Sequence, residues 1–147
     1  MKITDALLAE HAVFHNLFDH LERTLPRLKT LAEVKAVAAP LEAVLAAHSA
    51  AEDVLLIAPL EHCLSQLGQQ ENFHREHEEI DALLRQVRAS QELKQARKLF
   101  LSAVAYSRTH FDKEERILFP LAEKVLKPKT LTTLGADWFK QREAALD

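Results

Sequence analysis

The chain has 147 residues, of which 48% are hydrophobic and 28% charged, and its net charge at pH 7 is -3. These values are typical of a soluble globular protein and predict a single domain over residues 1–147, and the absence of a long basic run argues against a nucleic-acid-binding role. The single cysteine, Cys63, excludes an internal disulfide bond and favours a reducing cytoplasm. No segment has the pattern of a signal peptide, and the uninterrupted apolar runs are short, so we expect no membrane role.

The predicted secondary structure is helical throughout. Breaks divide the sequence at Pro26, at Gly68, near Ser90 and at Pro128. Between the breaks, apolar residues recur every three to four positions, which predicts four long helices, over 3–25, 31–66, 70–89 and 92–126. Pro40 either starts the main part of the second helix or bends it. A shorter fifth helix is predicted near 131–146, with Thr130 as its cap. The sequence therefore predicts an all-α fold, an up-down-up-down four-helix bundle with a short C-terminal fifth helix.

One motif occurs twice in the sequence. Residues 48–59 read HSAAEDVLLIAP and residues 110–120 read HFDKEERILFP. Each contains a histidine, a glutamate four positions later, a second acid, and an apolar run that ends in proline. A Glu-His pair also occurs in each half, at 10–11 and at 76–77. We therefore expect two similar helical hairpins packed together.

The spacing within the motif places two polar side chains on one helix face. Residues four apart in a helix point within ~40° of each other, one turn apart. His48 with Glu52, and His110 with Glu114, should therefore each present a pair of side chains to the interior. The acids that follow the two glutamates, at 53 and 115, are rotated by a further ~100° and are expected to face away.

The histidines of the four helices should also share one level of the bundle. In an antiparallel hairpin, two residues are level when they are equidistant from the connection. The midpoint between His11 and His48 falls at the end of the break over residues 26–30, and the midpoint between His77 and His110 falls close to the break at residues 90–92.

Six residues are thus expected to converge inside the bundle: His11, His48, Glu52, His77, His110 and Glu114. A lone histidine on an apolar stripe is more often a hydrogen-bonded core residue than a ligand, and a lone glutamate is more often a cap or a surface charge. Six such residues at one level are costly to bury unless something binds them. The pattern therefore predicts a two-metal site, with Glu52 and Glu114 bridging. Imidazole and carboxylate ligands without thiolate suit iron, manganese or zinc, and two bridging carboxylates favour a pair of iron or manganese ions.

The sequence resembles the hemerythrin-like family, the HHE cation-binding domains. The resemblance covers residues 3 to about 126, and its motifs are EH at 10–11, H-x-x-x-E at 48–52, EH at 76–77 and H-x-x-x-E-E-x-x-L-F-P at 110–120. It implies two iron ions in a non-haem Fe–O–Fe type centre that binds dioxygen or a related small molecule between the helices, with manganese and zinc as alternatives. Members of the family include oxygen carriers, oxygen or iron sensors, and proteins linked to nitric oxide stress and iron–sulfur repair.

The sequence departs from the oxygen carriers of this family in two places. The carriers have H-x-x-x-H on the third helix, whereas Phe73 occupies the upstream position here, and they end the last motif with an aspartate five positions after the histidine, whereas Glu114 lies four positions after it. Two further histidines are candidates for a fifth imidazole ligand, with His74 favoured over His15. Tyr106 is expected to form a hydrogen bond near the site rather than to bind metal.

Three hypotheses follow for the function. The leading one is a di-iron protein that binds or senses dioxygen or a related molecule such as NO or peroxide, without being an enzyme. The second is a di-iron enzyme that acts on peroxide or NO, or an iron donor in iron–sulfur repair. The third is a structural zinc module. No nucleic-acid or membrane partner is expected, the expected location is the cytoplasm, and the sequence identifies no protein partner.

Overall fold

The computed structural model describes residues 1–145, and this part of the chain contains five helices and no strand. The first four helices form an up-down-up-down bundle, which confirms the predicted fold class. They are α1 (Ile3–Thr24), α2 (Leu31–Glu52, a π-helical turn Asp53–Ile57, then Ala58–Gln66), α3 (Gln70–Ala89) and α4 (Leu93–Lys113, a π-helical turn Glu114–Leu118, then Phe119–Val125). The fifth helix, α5, spans Pro128–Ala144, and the end of the predicted range 131–146 lies outside the described residues.

The helix boundaries follow local sequence signals. Thr30 caps α2: its hydroxyl accepts a hydrogen bond from the backbone N–H of Glu33, while the Glu33 carboxylate accepts one from the backbone N–H of Thr30 at 2.9 Å. Gly68 has a positive φ of 65° just after α2, a conformation that glycine adopts without strain. The predicted cap at Thr130 is wrong, because α5 begins two residues earlier at Pro128, where proline needs no hydrogen-bond acceptor for its nitrogen.

Helix α2 is the most apolar long helix of the bundle. Pro40 lies inside it, so the helix continues through this proline rather than starting there. Over residues 31–66 the helix is long and apolar enough to cross a membrane by length and composition, with a mean hydropathy of 1.5 in its most apolar window, which the sequence analysis did not expect. In this fold 44% of that window is buried inside the protein, and the core helix of a soluble bundle meets the same criterion.

A π-helical turn follows the glutamate in the first repeated motif and begins at the glutamate in the second. In these turns the N–H of Ala58 bonds to the carbonyl oxygen of Asp53, and the N–H of Phe119 bonds to that of Glu114, five residues back in each case. The motif prolines, at 59 and 120, come immediately afterwards. A proline donates no hydrogen bond and its ring crowds the carbonyl one turn earlier, which favours a widened turn at this point. The repeated proline is therefore explained by the repeated π turn.

The π turn in α4 changes which residues face the core beyond it. A regular helical spacing of four and three residues from His110 through Glu114 predicts that Ile117 is buried, yet Ile117 is 38% exposed, whereas Leu118 is fully buried. An inserted residue shifts the buried face by one position, so the α-helical periodicity does not hold across the turn.

The hydrophobic core has two parts, separated by a polar layer. One part lies toward the α1–α2 and α3–α4 connections and includes Phe18, Leu84 and Phe100. The other lies toward the chain's N-terminus and the α2–α3 connection and includes Leu56 and Phe73. The histidines and glutamates of the repeated motifs are placed between the two clusters along the helices.

Helix α5 packs along α1 and also contacts the π turn of α2. Leu131 is buried in the contact. Gly135 lies so close to the N-terminal backbone that a Cβ atom there would overlap the carbonyl oxygen of Met1. The fifth helix is therefore closely packed against the bundle near the level of the polar layer.

Candidate metal centre

The structure brings together all six residues that the sequence predicted to converge. Each is at most 4% exposed, although each carries a polar or ionisable side chain. They form two groups, and within each group one ligand atom per residue lies within 4.8 Å of the others. The groups are His11, His48, Glu52 and Glu114, and Glu52, His77, His110 and Glu114. Because both glutamates belong to both groups, the arrangement fits two neighbouring ions with Glu52 and Glu114 between them.

The four imidazoles are held in one orientation by four carboxylates. In each ring Nδ1 contacts a carboxylate oxygen on another helix, in the pairs His11 with Glu115 at 2.9 Å, His48 with Glu10 at 2.7 Å, His77 with Asp53 at 3.1 Å and His110 with Glu76 at 2.7 Å. A carboxylate accepts hydrogen bonds, so Nδ1 must carry the hydrogen in every ring. The neutral ring then presents the bare lone pair of Nε2 to the interior, which is the state that a metal ion requires.

These pairs also connect the two hairpins. The glutamates of the Glu-His pairs, Glu10 and Glu76, bind the histidine on the other helix of their own hairpin. The acids that follow the motif glutamates, Asp53 and Glu115, bind a histidine of the opposite hairpin. The expectation that Asp53 and Glu115 face away is therefore wrong. A rotation of ~100° turns a side chain from the bundle axis into the groove with the adjacent helix, not out to solvent.

The sequence reasoning missed these four carboxylates as functional residues. A signal was present, because four of the six residues have an acid directly beside them in the sequence, two in each half: His11, Glu52, His77 and Glu114. Carboxylates that accept the Nδ1 hydrogen of a ligand histidine are a general feature of metal sites, so the doublets predict them.

Several buried polar atoms of the two groups lack a hydrogen-bond partner among the described residues. They are both carboxylate oxygens of Glu52, both carboxylate oxygens of Glu114, and Nε2 of His77 and of His110. Glu114 oxygens lie 2.6 Å from Nε2 of His110 and 3.3 Å from Nε2 of His11, yet these contacts lack hydrogen-bond geometry. Nε2 of His11 and Nε2 of His48 face each other at 3.2 Å, each on a ring whose hydrogen is committed at Nδ1. Buried polar atoms are rarely left unpaired, so a cation between them fits this donor set.

In the metal-stripped protein, protons on His77 and His110 supply part of the positive charge that a metal ion would bring. Burial lowers the pKa of His77, but its contacts with Asp53, Glu114 and Glu52 outweigh this effect and raise it to about 12. Burial likewise opposes charge on His110, and the carboxylates of Glu114 and Glu76 raise its pKa to about 9. In the metal-stripped protein these rings are therefore cationic at neutral pH, and metal binding must displace their protons.

The two central glutamates are not equivalent. Burial and the neighbouring charge of Glu114 raise the pKa of Glu52. Burial also disfavours charge on Glu114, but its close contacts with the imidazoles of His11, His110 and His77 hold its pKa well below the usual range. Glu114 thus carries the negative charge that balances the imidazoles of the metal-stripped protein, while Glu52 tends toward the neutral acid.

Aromatic side chains enclose the polar layer. The ring of Phe111 stacks on His11 with centroids 3.9 Å apart and an interplanar angle of 13°. Phe14 contacts His48 edge-on at 5.3 Å. Both phenylalanines are at most 5% exposed, so they keep water from this side of the site.

Comparison with known protein families identifies this combination of fold and site. The family described as Hemerythrin HHE cation binding domain matches residues 68–142, just over half of the chain. The chain belongs to this family. Comparison with curated proteins and with solved structures found no significant match. The matched range of the HHE domain includes His77, His110 and Glu114, whereas the residues of the first hairpin lie before it.

The two candidates for a fifth imidazole of this HHE domain lie outside both groups. His74 is half-exposed, and its Nδ1 lies 3.0 Å from Oδ1 of Asp53, the same oxygen that contacts Nδ1 of His77. His15 is partly buried, and its Nδ1 accepts a hydrogen bond from Arg108 at 3.0 Å. Each side chain is thus engaged by a charged partner outside the central cluster, so the structure does not support either as a ligand.

Two other side chains that the sequence analysis considered, Phe73 and Tyr106, provide no ligand to the central groups. Phe73, at the position where the oxygen carriers have the additional histidine, is fully buried with its ring centroid 6.4 Å from that of His110. Tyr106 donates a hydrogen bond to Glu79, which is not one of the six clustered residues. The expected hydrogen bond of Tyr106 therefore exists, but it does not reach the central groups.

Proposed function

We propose that this HHE domain holds two iron ions between its hairpins and that it binds or senses dioxygen or a related small molecule such as NO. The observation that carries the proposal is the pair of overlapping groups that share Glu52 and Glu114, with four imidazole lone pairs aimed between them. A pair of iron ions supplies redox chemistry and open coordination positions for small ligands. Manganese and zinc suit the same donors and are the alternatives to be tested.

The side chains around the site define what it can accept. Each group offers two imidazole nitrogens and two glutamates, fewer donors than six-coordinate iron accepts, which leaves room for an exogenous ligand. The His11–His48 side of the site is lined by the rings of Phe111 and Phe14, which exclude water and favour a small, weakly polar ligand. The carboxylates of Glu10, Asp53, Glu76 and Glu115 fix the rings and stay outside the ligand space.

A second candidate is a di-iron enzyme that consumes peroxide or NO. The observation that favours it is Phe73 at the position of the extra histidine, because a site with fewer protein ligands leaves more positions for reactants. A role as an iron donor in iron–sulfur repair belongs to the same candidate. We further propose a cytoplasmic location, without a nucleic-acid or membrane partner, since the chain has one cysteine and a small net charge.

The proposal is tested by loading metal-stripped protein with Fe²⁺ without oxygen and measuring bound iron per chain. We expect two iron ions, and a sharp loss of iron in His48→Ala and in His110→Ala, because each variant removes one imidazole from one group. His20→Ala is the matched control: His20 is an exposed histidine of the same bundle, bonded only to Thr24 in its own helix, and its loss should leave two ions bound. Full iron content in both site variants would overturn the site assignment.

Adding and removing oxygen then separates the functions. A visible absorption band that appears with oxygen and disappears on deoxygenation supports reversible binding. Irreversible oxidation that is accelerated by peroxide or NO supports the enzyme. A colourless protein that keeps zinc in iron-supplemented cells contradicts both and leaves the structural zinc module.

A further inference from the structure

A side chain of α5 reaches the histidine layer from outside the four-helix bundle. Arg142 donates two hydrogen bonds to Glu10 on α1, from Nε to Oε1 at 2.7 Å and from Nη2 to Oε2 at 3.2 Å. Its Nη atoms also lie 3.4 Å from the carbonyl oxygen of Ala47, the residue before His48 on α2. The guanidinium packs 5.4 Å from the ring of Trp138, one turn earlier on the same helix. Arg142 therefore joins α5 to α1 and α2 at a single point.

Glu10, which Arg142 holds, is the carboxylate that orients His48. Its Oε2 accepts the Nδ1 hydrogen of His48 at 2.7 Å. A guanidinium that donates to both oxygens of a carboxylate fixes its rotamer as well as its charge. With Glu10 fixed, the ring of His48 is held with Nε2 toward Nε2 of His11. The contacts run continuously from α5 to one of the two ligand groups.

We propose that Arg142 is a positioning residue for His48, so that docking of α5 and binding of metal at the His11–His48 group strengthen each other. The inference rests on the proposed metal site. A metal ion that fixes His48 also fixes Glu10 in the position that Arg142 binds, and a docked α5 presents His48 ready for metal. Such coupling is reciprocal: each event must raise the affinity of the other by the same factor.

The second ligand group has a counterpart that does not involve α5. Lys113 donates a hydrogen bond at 2.7 Å to Glu76, the carboxylate that orients His110. Lys113 lies on α4, the helix that carries His110 itself. Its loss should therefore weaken metal binding at the other group without any effect on α5, which makes it a matched control.

The test combines Co²⁺ affinity with hydrogen exchange in α5. Co²⁺ binding to the metal-stripped full chain is measured by competition with a chelator, and exchange of the α5 amides is measured with and without Co²⁺. We expect the wild-type protein to bind two Co²⁺ ions and to slow exchange in α5 on binding. Arg142→Gln should lower the affinity for one of the two Co²⁺ ions by about tenfold and abolish the effect of Co²⁺ on the exchange of the α5 amides. Lys113→Gln should lower the affinity for one Co²⁺ ion, and Co²⁺ should still slow the exchange of the α5 amides.

Two further variants separate positioning from a general loss of packing. Lys140→Gln removes a charge from α5 at a side chain that is 74% exposed and that bonds to Asp137 in the same helix, and it should change neither measurement. Arg142→Lys keeps the charge but not the two-pronged donor, and it should recover only part of the affinity. In a Glu10→Gln background, Arg142→Gln should have no further effect on Co²⁺ affinity, because the two residues act through one contact.

The outcomes distinguish the inference from the proposed site. A wild-type protein that binds no Co²⁺ overturns the metal site itself. The coupling is overturned, and the site left intact, if the wild-type protein binds two Co²⁺ ions but Arg142→Gln and Arg142→Lys bind them as tightly as the wild type. The same holds if Co²⁺ does not change the exchange of the α5 amides in the wild type. Additive losses in the double variant would show that Arg142 acts elsewhere than through Glu10, and that result also overturns the inference.

Discussion

The inequality of the two central glutamates predicts that the same substitution destabilises metal-stripped protein much more at Glu114 than at Glu52. Glu114 lies 2.6 Å from Nε2 of His110, 3.3 Å from that of His11 and 3.4 Å from that of His77, and it carries the buried negative charge. Glu52 makes fewer and longer ring contacts, at 3.3 Å to Nε2 of His77 and 3.9 Å to Nε2 of His48, and its pKa is raised. Glutamine resembles the neutral acid in shape and hydrogen-bonding groups, so it should replace Glu52 well and Glu114 poorly.

The magnitude follows from the cost of a buried charge that loses its partner. Removing one partner of a buried ion pair costs about 3–5 kcal/mol, and we take the lower end for Glu114→Gln because Glu52 can ionise and partly replace it at His77. Glu52→Gln should cost about 1 kcal/mol or less, the usual net value of one hydrogen bond. For a chain of this length, a loss of 3 kcal/mol corresponds to a fall in Tm of roughly 10 °C.

The assay is thermal unfolding of both variants with a chelator present and metal loss verified. Iron loading is a second measurement on the same samples. Neither variant should bind the full two iron ions, because each substitution removes a bridging carboxylate that belongs to both groups. If Glu52→Gln lowered the Tm of metal-stripped protein as much as Glu114→Gln, the assignment of the charge to Glu114 would be refuted.

Four further predictions concern pH, a ligand candidate and helix docking. The folded pKa of His110 is raised to about 9 from an ordinary 6.5, so its protonation stabilises the metal-stripped protein fully below pH 6.5, and this contribution is lost as the pH rises through 9. The Tm of the metal-stripped protein should therefore fall between these two pH values. A constant Tm would contradict the buried imidazolium. Metal binding displaces the same proton, so the Tm gain on adding Fe²⁺ should grow from pH 6.5 to 8.5, and a gain that shrinks would reverse the argument. His74→Ala should retain both iron ions with an unchanged spectrum, because His74 contacts Asp53 and belongs to neither ligand group, and lost iron would restore it as a ligand. Gly135→Ala should lower the Tm by several degrees, an overpacking cost of about 1–3 kcal/mol against the backbone of Met1, and an unchanged Tm would show that α5 can shift freely.

The bundle and the six converging residues could be predicted from sequence because they depend on regular geometry. His48 with Glu52 is an i, i+4 pair on a helix that remains α-helical up to Glu52, so the ideal rotation applies. The level of His11 and His48 depends only on equal distances from one connection. Both arguments use the backbone period alone and are insensitive to side-chain detail.

The remaining features depend on departures from that regularity or on competition between side chains. The π turns shift the face beyond Glu114, so the stripe extended through Ile117 was displaced to Leu118. His74 was favoured as a fifth imidazole, but its ring contacts Asp53, whose Oδ1 also contacts His77. The contact of Arg142 with Glu10 joins residues 132 positions apart, and no period of a single helix predicts it.

The most direct test of the two-metal site is anomalous diffraction at the iron absorption edge from crystals of the iron-loaded protein. We predict two iron peaks, one bound by His11 and His48 and the other by His77 and His110, with Glu52 and Glu114 in contact with both. A single peak, or two peaks that do not share both glutamates, would contradict the account.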